Sequence, residues 1–197
     1  MTRVIAGSAK GRRLKVPPSG TRPTSDRVRE AMLSAVESQM GSVSGRRVLD
    51  LFAGTGALGI EALSRGAASA LFVESDRACA RVLGENLRNL RLTGGSVCVM
   101  RVDKLTGMAV GEPVDLVFAD PPYETDPAEL SAQIGRLALG GWLNTPCLVV
   151  VEGSARWADW SWPSSVRPLR ERRYGQTRVW YGLTGTPQVQ EGAEPTW

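Results

Sequence analysis

Histidine is absent from the 197 residues. That absence removes the commonest general base, the serine triad and most zinc sites together, so no metal is expected. Cysteine is scarce: Cys79, Cys98 and Cys147 are scattered and odd in number, which argues against a disulfide framework. No apolar run approaches the roughly 20 residues of a membrane span. The opening MTRVIAGSAKGRR lacks the apolar stretch of a secretory leader, so a cytoplasmic protein without a membrane partner is expected. Lysine is rare too, with 3 against 21 arginines.

The charge that is present is unevenly placed. Residues 1–30 carry eight Lys/Arg against Asp26 and Glu30, and residues 156–182 carry six Arg against Asp159 and Glu171. Between them, residues 31–155 hold ten basic and fourteen acidic side chains. Two basic ends around an acidic centre suit a polyanion. Arg3, Lys10, Arg12, Arg13, Lys15, Arg22 and Arg27 are the candidate nucleic-acid contacts near the N-terminus.

Pattern divides the chain into three expected parts. Residues 1–24 read as a basic β-hairpin (RVIAGSAKGRRLKVP) and a proline-rich connector, a candidate RNA arm. Residues 25–184 form one α/β domain, and 185–197 are polar, rich in Pro and Gly, and expected to be disordered. Thr24 or Ser25 can cap a first helix whose stripe is Val28, Ala31, Met32, Ala35, Val36 and Met40. From Arg46 onward, strands and helices alternate: RRVLDLFA, a helix over 57–65, SALFVES, a helix over 77–92, SVCVMRVD, VDLVFAD, a helix over 127–139 and PCLVVVEG. Near-continuous apolar strands separated by helices indicate a parallel sheet covered on both faces. VRPLRERRYGQTRVWYGLT adds two strands turning near Gly175, with either Arg178 and Trp180 or Val179 and Tyr181 facing the core. Trp157, Trp160 and Trp162 read as packing under a loop rather than as base-stacking platforms. Arg170, Arg172 and Arg173 fit a solvated strand face as well as a phosphate contact.

DLFAGTGALG places Gly54-x-Gly56-x-x-Gly59 between a strand and a helix, with Glu74 at the end of the next strand. Glycines there admit a close ligand, the helix start offers free N–H groups, and the acid can accept ribose hydroxyls. An adenosine-containing cofactor follows, either a dinucleotide or S-adenosylmethionine. Asp50 stands where the amino end of a methionine moiety would bind, and Asp103 stands at the end of the third strand, where an adenine amino group would. The fourth strand ends in Asp120-Pro121-Pro122-Tyr123, for which hydride transfer has no use. An exocyclic amine is a poor nucleophile. The Asp120 carboxylate and the Pro121 carbonyl can hold its hydrogens, the prolines lock the loop, and Tyr123 can stack on the base.

Asp-Pro-Pro-Tyr after strand four, with the glycine loop after strand one, resembles the amino-methyltransferases of the class I, S-adenosylmethionine-dependent fold. More narrowly, GRRLKVP (11–17), TRPTSDRVREAML (21–33), DLFAGTGALGIEALSRGA (50–67) and FADPPY (118–123) resemble the bacterial 16S rRNA guanine-N2 methyltransferases that modify guanine 966. The resemblance implies a Rossmann-like seven-stranded sheet with one antiparallel strand, and a guanine flipped into the pocket. It also implies 16S rRNA, within the 30S subunit or an assembly intermediate, as the partner. Carried onto this chain, the cofactor positions are Asp50, Phe52, Ala53, Gly54, Thr55, Gly56, Glu74, Ser75, Asp103 and Thr24. The catalytic loop is Asp120 to Tyr123, and a monomer is expected.

Other readings fit less of the chain. A dinucleotide dehydrogenase leaves Asp-Pro-Pro-Tyr unexplained. A cytosine-C5 methyltransferase needs a cysteine nucleophile, and Cys147 opens strand five, away from the pocket. A protein-glutamine methyltransferase usually carries Asn where this chain has Asp120. An N6-adenine DNA methyltransferase shares the clamp but needs a recognition domain for which no segment is long enough. A catalytically silent RNA-binding assembly factor would not need the intact motifs.

Overall fold

The alternation that begins at Arg46 closes into a single sheet. A computed structural model describes residues 2–17, 26–122, 124–157 and 160–185. Arg22, Thr24 and Tyr123, and the tail from residue 186, lie outside the described residues. Helix α1 spans Asp26–Met40, followed by β1 (Arg47–Leu51), α2 (Ala57–Ser64), β2 (Ser69–Glu74), α3 (Arg77–Leu90) and β3 (Gly95–Val99). Then come α4 (Val102–Leu105), β4 (Val114–Ala119), α5 (Pro127–Leu139), β5 (Leu143–Ser154), β6 (Val166–Tyr174) and β7 (Thr177–Thr184).

The seven strands lie in the order β3-β2-β1-β4-β5-β7-β6. β1 to β5 pair in parallel, and β7 runs antiparallel to both neighbours, β5 and β6. That is the expected mixed sheet with one reversed strand. Its order reverses between β1 and β4, and ligands of open α/β sheets bind at the carboxyl ends of the strands at such a point.

Alternate residues of the central strands enter two cores. Leu116, Phe118, Leu148 and Val150 pack with α1, α2 and α3, while Val117, Ala119, Val149 and Val151 pack with α4 and α5. Cover on both faces is why these strands read as unbroken apolar runs. It also corrects one expectation. Val179 and Tyr181 join the first core, and Trp180 joins the second, so both faces of β7 are buried. Trp180 stacks on Trp157 with ring centroids 5.9 Å apart, and Trp160 meets Trp162 edge-on at 5.2 Å. The tryptophans therefore pack the second core. Arg170 is part of the fold as well: its Nη2 donates to the Ala35 carbonyl at 2.9 Å, and its guanidinium lies over the Tyr181 ring.

Three further boundaries move. β3 stops at Val99, and Val102–Leu105 form a short helix, so Asp103 lies on α4 and not at a strand end. β5 begins at Leu143, and α3 ends at Leu90 with Arg91 in the left-handed region. On α1 the buried residues are Arg29, Met32, Leu33 and Val36, a stripe turned toward Leu33 from the expected one. Among the described residues, no helix is long and apolar enough to cross a membrane.

The N-terminal segment folds back on itself as the expected hairpin, a short one with the antiparallel bridge Arg3 with Arg13. Within it the Val4 N–H donates to the Arg12 carbonyl and the Leu14 N–H to the Thr2 carbonyl, both at 2.9 Å, and the Gly11 N–H to the Val4 carbonyl at 2.8 Å; the domain satisfies further groups. Glu61 on α2 is 1% exposed and accepts from the N–H groups of Ile5 and Ala6, both at 2.8 Å. The Ser64 hydroxyl accepts from the Ala9 N–H and donates to the Ala6 carbonyl. Arg12 donates to the Leu90 and Asn89 carbonyls that end α3.

Candidate active site

Four loops meet at the carboxyl ends of β1, β2, β3 and β4. Asp50, Glu74 and Asp120 stand at or just past the ends of three neighbouring strands, β1, β2 and β4. Asp50 is 1% exposed, and its Oδ2 accepts from the Gly59 N–H at 2.9 Å. Burial pushes its pKa up to about 8, against the pull of the Gly59 N–H, and the charges of Asp120 and Glu74 push the same way. Buried Asp50 is thus close enough to feel both of the other carboxylates. Such a site is complementary to a cation.

The glycines of the loop have separate reasons. A Cβ on Gly56, which has φ +81°, would lie 2.1 Å from Leu83 Cδ1, and one on Gly59 would lie 2.4 Å from the Phe72 ring. These two let α2 settle against β2 and α3. Gly54 also has positive φ, yet a Cβ there would meet nothing within 4 Å. Space, not packing, surrounds Gly54, as a ligand-facing turn requires. Phe52 is half-buried at φ +59°, a conformation that disfavours an aromatic residue and that recurs at functional sites.

Glu74 holds the loop from the next strand. Its Oε2 accepts from the Gly54 N–H and its Oε1 from the Asp76 N–H, each at 2.7 Å. Each oxygen keeps acceptor capacity for a hydroxyl. Ala53 is buried and donates its N–H to the Val73 carbonyl, and Thr55 offers its carbonyl to Asn86. Ser75 is exposed beside Glu74. Asp103 sits apart from the three converging acids in its bonding, pairing with Arg101 at 2.9 Å and Lys104 at 3.6 Å. The Arg101 hydrogen bond holds its carboxyl below the usual range.

After β4, Asp120 is half-buried, Pro121 is buried and Pro122 is exposed. The Pro122 carbonyl accepts from the Thr125 N–H at 3.0 Å, so the loop turns back at once. Cys147 is fully buried, and burial pushes its thiol far up, so it is no nucleophile.

The basic N-terminal residues divide. Lys10, Arg13 and Arg27 are exposed. Arg12 caps α3, Lys15 pairs with Glu85 at 2.8 Å, and Arg3 pairs with Asp26 at 3.6 Å. Sequence reasoning missed Asn86, which is 1% exposed. Its Oδ1 accepts from the Lys15 N–H at 2.9 Å, and its Nδ2 donates to the carbonyls of Lys15 and Thr55. A polar residue at a core position of α3, three after Leu83, is the signal that could have marked it.

Comparison with known proteins places the chain in a family. The family model described as Conserved hypothetical protein 95 matches residues 2–182. Ribosomal RNA small subunit methyltransferase D of Escherichia coli (strain K12) is 38% identical over 176 residues, 88% of this chain and 85% of that protein. The protein of the same name from Haemophilus influenzae is 38% identical over 154 residues, 76% of this chain and 77% of its own length. A solved structure described as a putative methyltransferase from Escherichia coli superposes with a TM-score of 0.82 at 35% identity, covering 93% of this chain and 97% of that one. The magnesium protoporphyrin IX methyltransferase of Synechocystis, solved with bound S-adenosylmethionine, shares the fold at 15% identity and a TM-score of 0.61. The chain belongs to the Conserved hypothetical protein 95 family and is a relative of the small-subunit ribosomal RNA methyltransferases D.

Proposed function

We propose that the chain transfers a methyl group from S-adenosylmethionine to the exocyclic N2 of a guanine in 16S rRNA, presented by the 30S subunit or an assembly intermediate. At the coarser level it is an S-adenosylmethionine-dependent methyltransferase of rRNA, the substrate that its relatives' names state of those proteins. Guanine 966 is the target that the sequence resemblance implies. The observation that carries the reading is the convergence of Asp50, Glu74 and Asp120 at the sheet's switch point.

S-adenosylmethionine fits that site because it brings a sulfonium and an ammonium to three carboxylates. When bound, it supplies an electrophilic methyl group. Asp50 is placed to take the ammonium, and Glu74 the ribose hydroxyls, across the glycine loop it already holds. The finer assignments to Phe52, Ala53, Thr55, Ser75, Asp103 and Thr24 rest on the resemblance. Asp120 and the Pro121 carbonyl accept from the two hydrogens of the target amine and aim its lone pair at the methyl. Asp120 also stabilises the positive charge that develops on nitrogen. Proline lacks an N–H, so Pro121 and Pro122 put no backbone donor in competition with the amine. Tyr123 is assigned to stack on the base. Among the described residues of the basic N-terminal set, exposed Lys10, Arg13 and Arg27 are the ones placed to reach phosphate. A single copy of the chain carries all these groups.

Labelled methyl transfer tests the reading, with 30S subunits, protein-free 16S rRNA and duplex DNA as substrates. N2-methylguanine on the 30S particle, reduced at least 100-fold in kcat by Asp120→Ala, is the expected result. Label on DNA adenine would instead support the N6-adenine enzyme. Failure to bind S-adenosylmethionine would leave an assembly factor without catalysis.

A further inference from the structure

Helix α3 turns a row of arginines toward the open edge of the sheet. Arg77, Arg81, Arg88 and Arg91 recur at offsets of 4, 11 and 14 residues, which a period of 3.6 places on one stripe. All four are exposed. With Gly84 and with Val97 of edge strand β3, they line two adjoining hollows of about 410 and 400 Å³. The hollows share Gly84, Arg88 and Val97, so they form one groove. Gly84 lies on its floor, with Arg88 Nη1 3.4 Å from where a Cβ would stand.

The groove is strongly basic, with Glu85 the one acid on α3 whose charge Arg81 and Arg88 feel. None of the four arginines joins an ion pair among the described residues. Glu85, the sole acid on α3, is held by Lys15. Arg77 stands in the first turn, where the helix dipole disfavours a cation, so the fold gains nothing from its charge. Four cations spread over about 21 Å of helix, facing a half-exposed Val99 on the strand edge, match a chain of phosphates better than any single anion.

Location supports the same occupant. The upper end of the groove, at Arg77, follows Asp76, whose N–H donates to Glu74 at 2.7 Å. The lower end, at Arg91, adjoins the Leu90 carbonyl that Arg12 caps. The groove thus joins the N-terminal cations to the rim of the cofactor loop. β3 lies three strands from β4, about 14 Å away, within reach of nucleotides flanking a base held at Asp120.

We propose that the α3–β3 groove binds the phosphate backbone of the substrate RNA beside the target base, an inference that rests on the rRNA reading above. The test compares wild type, Arg81→Ala with Arg88→Ala, and a control with Arg46→Ala and Arg136→Ala, exposed arginines away from the groove. KM and kcat for methylation of 30S particles are measured alongside binding of protein-free 16S rRNA across a salt series, with S-adenosylmethionine affinity and Tm as checks on folding. The groove variant is expected to raise KM about tenfold with kcat within twofold. Its salt slope should flatten by about 0.7–0.9 per lost phosphate contact, while the control changes neither. Equal KM and salt slope in wild type and groove variant would overturn the groove alone. An effect on the particle but none on protein-free rRNA would also overturn it, pointing to an acidic ribosomal protein as the occupant. A wild type that methylates neither 30S particles nor protein-free 16S rRNA would sink the rRNA reading and the groove with it.

Discussion

The Asn86 side-chain amide on α3 donates to the Thr55 carbonyl of the glycine loop at 3.2 Å. The same Nδ2 reaches the Lys15 carbonyl at 3.1 Å, and Oδ1 takes the Lys15 N–H at 2.9 Å. One buried side chain therefore ties the N-terminal segment to the cofactor loop.

Asn86→Ala leaves two carbonyls and one N–H without that partner, costing about 2–4 kcal/mol. The variant should melt several degrees lower, bind S-adenosylmethionine several-fold more weakly, and be cut faster by trypsin at Arg12, Arg13 and Lys15. Calorimetry and limited proteolysis check this. Unchanged cleavage would show that the segment is held without Asn86.

Asp50 gives a pH dependence whose sign is fixed. Its folded pKa is raised from 3.8 to about 8, so the folded state keeps a proton that the unfolded state releases. Between those values the Asp50 contribution to stability falls as pH rises. Asp50→Asn should remove this slope and raise the cofactor-free Tm relative to wild type at pH 8 and above. Because a cationic ligand needs the ionised acid, wild-type affinity for S-adenosylmethionine should climb with pH toward about 8. The Asn variant should be flat and at least tenfold weaker. Titration calorimetry from pH 6 to pH 9 is the measurement.

Gly54 and Gly56 should respond differently to alanine. At Gly56 the methyl would lie 2.1 Å from Leu83 at φ +81°, combining overpacking with a left-handed strain for a loss of about 3 kcal/mol. At Gly54 the methyl meets nothing, leaving about 1 kcal/mol of backbone strain. Gly54→Ala should therefore stay folded yet lose most cofactor affinity, whereas Gly56→Ala should show a large drop in Tm. Thermal melts with and without S-adenosylmethionine separate the two.

Glu61→Ala strips the N–H groups of Ile5 and Ala6 of their acceptor and Arg65 of its 3.2 Å partner. Charge-assisted bonds of this kind contribute about 3 kcal/mol together, so Tm should fall by roughly 6–12 °C. A fall under 2 °C would mean the segment docks through its apolar residues Val4, Ala9 and Leu14.

Elements whose order follows from local pattern were readable in the residues alone. The parallel strands announced themselves as runs such as VDLVFA, and the glycine loop with Glu74 twenty residues on placed a cofactor at the end of β1. Asp-Pro-Pro-Tyr marked the end of β4 because no strand tolerates it in its middle. α5 was read residue for residue over 127–139 because Asp126, Pro127 and Gly140 mark its ends.

Tertiary structure decided what depends on neighbours distant in sequence. The stretch around Met100–Asp103 continues the β3 run in sequence, but among the described residues no strand lies beyond β3, and the chain bends into α4 once the pairing with β2 ends at Val99. Trp180 was assignable to solvent or core only when Trp157 arrived to cover it. Arg12 and Lys15 read as an RNA arm from charge alone, since charge does not reveal that Leu90, Asn89 and Glu85 receive them. The basic groove belongs to the same class: four arginines that join no ion pair among the described residues acquire a direction only when α3 lies against the edge of β3.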